Sequence, residues 1–458
     1  MVEKVDAVVV GLGVGGEIVG GRLAQAGWSV VGVEERLVGG ECPYWGCIPS
    51  KIMVRAADLL QEARRIPGLA GAAEVRPDWA PVARRIREAT ADWDDTAAVK
   101  RFTDAGGRFV RGRARLAGPG RVDVGGTVYE ASRAVVLATG SSPVVPPIDG
   151  LAGTPYWTNR EALEATEPPA SLLVLGGGAI GLELAQVYAR FGTAVTILEA
   201  HDRIAAREEP EASDLLRDRL AADGVTIHTS TRVTRVEHDG GFRLTTADGR
   251  TVTGERLLVA TGRRANLADL GLDTVGLDPT ARALTVDDRM RAGDRLWAVG
   301  DLTGHGMFTH VATYQAGIAV RDILGEPGPP ADYRALPRVT FTDPEVGAVG
   351  LTEARARQAG IRVAVGRGDQ AATSRGYIHQ AGNQGFIKLV ADADRRVLVG
   401  ATSAGPVGGE VLSGLAVAVQ AQVPVDTLQH MIYAYPTFHR GISDAVADLL
   451  AGAALSRR

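Results

Sequence analysis

The chain reads as an α/β protein: two successive parallel βαβ units and then a smaller α+β domain. Three observations predict this. A short apolar run leads into a glycine-rich turn and a helical pattern at residues 5–25, and the same succession returns from residue 171, ahead of a strand at 194–198. Each copy continues into a second apolar run closed by an acid, 23 positions after the first glycine in both: Gly11 to Glu34, and Gly176 to Glu199. Beyond residue 333 the pattern changes to alternating runs around Val339 and Phe386, with a helical stretch from Glu410 to Gln420.

The length, 458 residues, suits about three domains at roughly 100–200 residues each. Hydrophobic residues make up 45 % and charged residues 23 %, so several cores can be buried and wholesale disorder is excluded. The formal net charge of -4 argues against a nucleic-acid binder, which lives on phosphate contacts and is usually basic. Two cysteines exclude a disulfide-stapled scaffold. No apolar run reaches the ~18 residues of a membrane span. Residues 8–21 have the apolar character of a signal-peptide core, but Glu3, Lys4 and Asp6 precede them, so a cytoplasmic protein is expected. Lysine occurs four times, at Lys4, Lys51, Lys100 and Lys388, which makes each one worth inspecting.

In the first unit, a buried parallel strand feeds the G-x-G-x-x-G of Gly11, Gly13 and Gly16. Glycine lets the backbone approach a pyrophosphate, the helix N-terminus faces its charge, and an acid such as Glu34 takes the ribose hydroxyls. The second unit repeats this with Gly176, Gly178, Gly181 and Glu199. Each copy is followed by an apolar run ending in Ala-Thr-Gly, at Thr139-Gly140 and at Thr261-Gly262. The pattern is a Rossmann-like dinucleotide-binding unit, and its repetition predicts two bound dinucleotides. Proline-containing stretches at 141–147 and 325–332 punctuate the chain.

Both cysteines fall in one string, Gly39, Gly40, Glu41, Cys42, Pro43, Tyr44, Trp45, Gly46, Cys47, Ile48, Pro49, Ser50, Lys51, ahead of a helical run over 52–60. A metal site needs more ligands than these, and no metal is expected. A structural cross-link would be unusual in the cytosol, and inert core cysteines need not sit together at a helix entrance. A reversible disulfide accounts for the arrangement best, since a helix N-terminus favours a thiolate. Lys51, four positions after Cys47, can share its helix face and stabilise negative charge.

These motifs resemble the class I pyridine nucleotide-disulfide oxidoreductases, the family of lipoamide dehydrogenase, glutathione reductase and mercuric reductase. Residues 296–301, ending in Asp301, match the family's second flavin motif, and residues 341–350 match the opening of its interface domain. The resemblance covers the whole chain. It implies two Rossmann-like domains, for FAD and NAD, plus a C-terminal α+β dimerisation domain. The FAD domain is placed at 1–150 and 266–333, the nicotinamide domain at 151–265 and the interface domain at 334–458. It further implies that FAD lies over the first unit, with Glu34 on its adenosine ribose and Asp301 on its ribityl chain. Cys47 becomes the sulfur against the flavin, Cys42 the interchange sulfur, and Lys51 the partner of Glu183. Further cofactor contacts are implied at Ala114, Thr139, Gly140, Ile180, Gly262 and Thr309. A homodimer follows, because the family completes each site with a partner's C-terminal domain. Glu199 would repel a 2'-phosphate, so NADH is favoured, with NADPH possible because His201 and Arg203 lie close.

The family pattern breaks near the C-terminus. Where relatives carry a proton-moving histidine followed by a glutamate, this chain has Tyr435 and Arg440. Tyrosine titrates near 10 and is a poor base at neutral pH. Either His439 takes over the proton, or the small-molecule acceptor needs little base catalysis. The bulky Pro43, Tyr44 and Trp45 beside Cys42 either pack inward or offer a surface to a flat acceptor. The sequence therefore predicts an NADH-preferring flavoprotein oxidoreductase cycling through Cys42 and Cys47. Lipoamide or another disulfide, quinones and metal ions are its candidate acceptors, and a redox-sensing module with little turnover is the reading of a different class. Mercury is disfavoured by the expected lack of an amino-terminal metal-binding module and of a C-terminal cysteine pair.

Overall fold

The computed structural model describes residues 1–452; the terminal residues 453–458, part of the expected interface domain, lie outside it. The chain groups into two compact units.

The first unit comprises Met1–Ser50, Ala83–Val144 and Gly262–Asp332. Its centre is an eight-stranded sheet around the strand Val2–Val10, which pairs in parallel with Val30–Glu34 on one side and Thr127–Leu137 on the other. The register sets Ala7 beside Val30 and Val10 beside Val33. Along Val2–Val10, Ala7 and Val9 enter one hydrophobic cluster while Val8 and Val10 enter another. Both faces of this strand are thus buried, which explains an unbroken apolar run where a one-sided strand would alternate. The helix Val14–Gln25 follows the glycine turn directly.

The second unit comprises Lys51–Val82, Val145–Thr261 and the chain from Tyr333 on. It holds a four-stranded parallel sheet, in the order Thr226–His228, Ala194–Leu198, Ser171–Leu175, Arg256–Val259. A three-stranded antiparallel meander over Val233–His238, Phe242–Thr246 and Thr251–Gly254 accompanies it. The C-terminal part is a five-stranded sheet, antiparallel at every pairing, covered by the helices Gly408–Gln420 and Gly441–Ala451. Strand Val363–Asp369 carries Gly366 and Gly368 against the second of these helices. A Cβ on either would stand 2.2 Å from the Ala445 carbonyl or 2.7 Å from that of Gly441. The alternating runs read from the sequence are the strands Pro337–Thr340 and Phe386–Asp392.

Residues 51–82 fold with the second unit through polar and aromatic contacts. Trp79 Nε1 donates to the Ala165 carbonyl at 2.9 Å and its ring stacks on Tyr188. Lys388 is buried among Glu209, Glu211 and Glu353, at 2.8–3.0 Å, tying its strand to the start of the helix Pro210–Ala222. Burial works against its charge, but the three carboxylates outweigh it and hold the lysine firmly protonated, so it is a structural cation.

One local expectation shifts. The helix expected over 52–60 begins earlier, as Cys47–Arg64, and a short helix Glu41–Trp45 precedes it with Gly46 between. Pro49 does not break it, because the first turn has no intrahelical use for that N–H. Cys47 therefore occupies the first helical position.

Candidate nucleotide and dithiol sites

The two glycine turns are near-superimposable in their constraints. Gly11 and Gly176 have φ of 90° and 110°, and a Cβ on either would lie 2.5 Å from the carbonyl of Ala138 or Ala260. On Gly16 and Gly181 a Cβ would reach 2.0 and 2.3 Å from the carbonyls of Gly11 and Gly176. These four glycines are demanded by the chain's own packing. Gly13 and Gly178 are not. Their φ values of -65° and -84° suit any residue, and a Cβ would meet nothing nearer than 3.9 Å at Gly13 and nothing within 4 Å at Gly178. Each also caps its helix with no side-chain bond to the first-turn N–H groups. Open space at a glycine, in front of uncapped donors at a helix N-terminus, is a cradle that fits a pyrophosphate in both copies.

The acids close each turn in the same way. Glu34 accepts from Leu12 N and Arg36 N, both at 2.8 Å. Glu199 accepts from Gly177 N at 2.6 Å and His201 N at 2.7 Å. Burial pushes the Glu34 carboxyl up, against the pull of those two N–H groups. Near the second acid, Arg203 is turned onto its own loop: its guanidinium donates to Ser213 Oγ at 2.8 Å and to the carbonyls of Ala205 and Ala206. Ile180 stands 37 % exposed at the lip of the second turn. Gly262, with φ 126°, has nothing within 4 Å of its Cβ direction, as does Gly140 with φ 66°.

Asp301, in the first unit, sits at the end of a polar chain. Ser141 Oγ donates to its Oδ2 at 2.5 Å, Arg263 donates to Ser141 Oγ at 2.8 Å, and Arg263 pairs with Glu41 at 3.4 Å. Burial raises the Asp301 carboxyl, opposed by Ser141 and Arg263. Thr139 Oγ1 donates to the Asn266 carbonyl at 2.8 Å, and Asn266 Nδ2 returns a bond to the Thr139 carbonyl at 2.9 Å. Ala114 is buried at the start of the strand Ala114–Leu116.

Cys42 and Cys47 are free thiols hydrogen-bonded to each other. That bond, together with burial, raises the Cys42 thiol, and Thr309 opposes the shift. The net effect favours the thiol form of Cys42 over its thiolate. Cys47 Sγ lies 3.4 Å from Thr309 Oγ1, at the first position of the helix Thr309–Leu324. Of the bulky residues beside Cys42, Tyr44 is turned inward, 6 % exposed, with its carbonyl taking the Trp93 indole N–H at 3.2 Å. Trp45 keeps part of its surface open.

In the second unit, Lys51 Nζ lies 2.6 Å from Glu183 Oε2 and 4.6 Å from the Phe341 ring centroid, and the other Glu183 oxygen accepts from Phe341 N at 2.8 Å. Tyr435 is 68 % exposed, its ring near the Arg440 guanidinium at 5.8 Å. His439 lies in a 3-10 turn, Phe438–Arg440, with its ring 6.4 Å from that of Tyr433. Sequence reasoning missed Ser141 and Arg263, each the residue directly after an Ala-Thr-Gly run, and that position was the signal. Among the described residues no cluster of histidine, cysteine or acid could hold a metal ion, and no helix is long and apolar enough to cross a membrane.

Comparison with known proteins agrees with this geometry. Residues 5–316 match the family described as pyridine nucleotide-disulphide oxidoreductase, and residues 336–446 match its dimerisation domain. The chain is 31 % identical to a dihydrolipoyl dehydrogenase of Rhizobium etli over 98 % of both proteins. It is 34 % identical to a mercuric reductase of Streptomyces lividans over 94 % of this chain and 93 % of that protein. In structure it resembles the Cu(II) complex of the HOCl-induced flavoprotein disulfide reductase RclA from Escherichia coli. The TM-score there is 0.85 at 27 % identity, covering 97 % of this chain and 99 % of that one. The chain thus belongs to the pyridine nucleotide-disulfide oxidoreductases, as a flavoenzyme that uses FAD and NAD(P)H.

Proposed function

We propose that this enzyme takes electrons preferentially from NADH and releases them through Cys42 and Cys47 to a small acceptor that needs little base catalysis, a soft metal ion foremost. The observation that carries the acceptor reading is the exposed Tyr435 beside Arg440 where relatives place a histidine and a carboxylate. Neither side chain takes a proton readily near neutral pH. The mercuric reductase relative and the Cu(II)-bound structural neighbour support the same choice. Lipoamide is the second reading, favoured by the dihydrolipoyl dehydrogenase relatives.

Bound FAD supplies the two-electron chemistry that links a nicotinamide to a dithiol. The chain's residues do the rest. Gly13 and Gly178 open the two pyrophosphate cradles over the first and second Rossmann-like units. Glu199 takes the ribose hydroxyls of NADH, and Arg203, engaged by Ser213 and two carbonyls, is turned away from serving a 2'-phosphate. A Cys42–Cys47 disulfide takes two electrons and two protons to become the dithiol. The dithiol then gives two electrons to the acceptor, one Hg(II) or two Cu(II) ions, releases its two protons to solvent and closes the sulfur–sulfur bond again. In this reading Cys42 would be the interchange thiol and Cys47, beside Thr309, the sulfur nearer a bound flavin. Lys51, neutralised by Glu183, supplies a positioned cation one helical turn beyond Cys47.

A homodimer is part of this reading. The match to the dimerisation domain supports it, as do the exposed apolar side chains there: Ile432 at 98 %, Tyr435 at 68 %, Val417 at 66 % and Met431 at 48 %. Steady-state NADH oxidation against lipoamide, low-molecular-weight disulfides, quinones, Cu(II) and Hg(II), repeated with Cys42→Ser, tests the proposal. Metal-dependent turnover that disappears in the variant is expected. Turnover confined to lipoamide would install the second reading, and quinone turnover retained in Cys42→Ser would move the electron exit away from sulfur. A lower Michaelis constant for NADPH than for NADH would overturn the nucleotide preference.

A further inference from the structure

The helix that starts at Cys47 is joined to the helix Ala179–Arg190 at two places. Lys51 Nζ meets Glu183 Oε2 at 2.6 Å, and Asp58 Oδ1 meets Arg190 Nη1 at 2.8 Å. Lys51 and Asp58 are seven positions apart, and so are Glu183 and Arg190. Seven residues are about two turns, or roughly 10.5 Å of axial rise, so both pairs lie on facing stripes of two helices that run in the same direction. Their polarity is reversed: the cation sits on the first helix at one pair and on the second helix at the other. A slip of either helix by one turn would bring Lys51 or Arg190 away from its carboxylate.

Arg190 does not depend on Asp58 to be satisfied. Its side chain is 1 % exposed, and it also pairs with Asp343 at 2.6 Å and Asp223 at 3.0 Å. Asp58 is the carboxylate that the dithiol helix adds to this hub. We propose that Asp58 and Arg190 are positioning residues for the reductive half-reaction, their ion pair holding the dithiol helix in the axial register that seats Lys51 on Glu183. The role assigned to Lys51 rests on the proposed function; the register itself does not.

The pair is sensitive to pH. Burial, opposed by Arg190 and reinforced by Asp343, pushes the Asp58 carboxyl up to about 6, with Arg55 on its own helix pulling it down. Glu62 and Arg65 from the same segment, and Glu345 and His379 from the C-terminal part, line the cavity that Asp58 faces. A carboxyl raised from 3.8 to about 6 contributes stability below its unfolded value and loses it as pH rises through about 6. Ionised Asp58 thus costs stability while forming the pair with Arg190. Its neutral isostere should fold as well as the parent at alkaline pH.

The test uses FAD-loaded Asp58→Asn and Asp58→Glu, with flavin bleaching by NADH followed across about pH 5 to 8. The parent rate should fall as pH drops through about 6. Asp58→Asn should be slower at the upper end by on the order of ten- to a hundredfold, with that limb flattened, and Asp58→Glu should restore it. The thermal midpoint of Asp58→Asn near pH 8 should be no lower than the parent's. Parent-like rates with an unchanged limb in Asp58→Asn, or an equal loss in Asp58→Glu, would overturn the inference. A second readout is independent of turnover. With four lysines in the chain, lysine-selective 13C labelling resolves the Lys51 Cε resonance, assigned through Lys51→Arg. That resonance should shift as Asp58 ionises near pH 6 in the parent and stay unshifted over the same range in Asp58→Asn. A parent that NADH fails to bleach at any pH would remove the functional reading, and the lysine resonance would still decide the register.

Discussion

The two glycine turns share one backbone and differ in the helix that each one opens. In the first, Gly15 presses its helix against Val299 and Ala312, where a Cβ would already stand 3.2 and 3.4 Å away, and Ile18 packs on the hydrophobic cluster. In the second, the corresponding positions are Ile180, 37 % exposed, and Glu183, 5 % exposed. The first turn is thereby walled in by its own unit. The second keeps an open lip and carries a buried carboxylate that answers Lys51. In the proposed reading, a pyrophosphate cradle fixes only where a dinucleotide lies. The second and fifth positions after the middle glycine decide what chemistry stands beside it.

The contrast between the units is most exposed to test at the sulfurs. If the first unit is where electrons leave, Cys42→Ser should lower acceptor turnover by at least about a thousandfold while NADH still bleaches the flavin, as stopped-flow absorbance will show. Loss of bleaching as well would mean that the variant had damaged the cofactor site. Next in size are the constrained glycines. Gly11→Ala and Gly176→Ala, each placing a Cβ 2.5 Å from a carbonyl at positive φ, should abolish folding or lower the thermal midpoint severely.

The unconstrained glycines refine the contrast. Gly178→Ala should leave stability unchanged or raise it by about 0.4–1 kcal/mol, yet weaken NADH binding by roughly tenfold or more. Gly13→Ala should do the same for FAD, read as dissociation of flavin on dilution. Equal loss of stability in these variants and in Gly176→Ala would erase the distinction between glycines kept for the chain and glycines kept for a ligand. Glu199→Ser should raise the Michaelis constant for NADH about tenfold and narrow its margin over NADPH. Smallest of all, Tyr435→Phe should alter turnover far less than the roughly 10²–10⁴-fold of a true acid–base group.

Much of the site was legible because its constraints are local. Gly11, Gly16 and Glu34 act within one βαβ unit, so their spacing carried the meaning and returned unchanged at Gly176, Gly181 and Glu199. The Cys42–Cys47 string was legible for the same reason. The start of the following helix marked the limit of local reading: the run read over 52–60 begins at Cys47, with Pro49 accommodated in the first turn. Arg263, Ser141, Asp58 and Arg190 were hidden for a different reason. Each is an ordinary polar residue in its own neighbourhood, and its partner lies 33 to 160 positions away. Tyr44 and Trp45 are adjacent in sequence, and only packing turned Tyr44 inward and left part of Trp45 open.

The amino-acid order alone dictates two dinucleotide cradles, a dithiol at a helix start and an α/β architecture, because strand burial, glycine conformation and helix spacing are short-range physics. Tertiary packing settles which charges meet. A buried guanidinium or carboxylate must find partners wherever the folded chain brings them, and a linear spacing does not encode that meeting. Lys51 with Glu183, and Asp58 with Arg190, are products of two helices laid side by side.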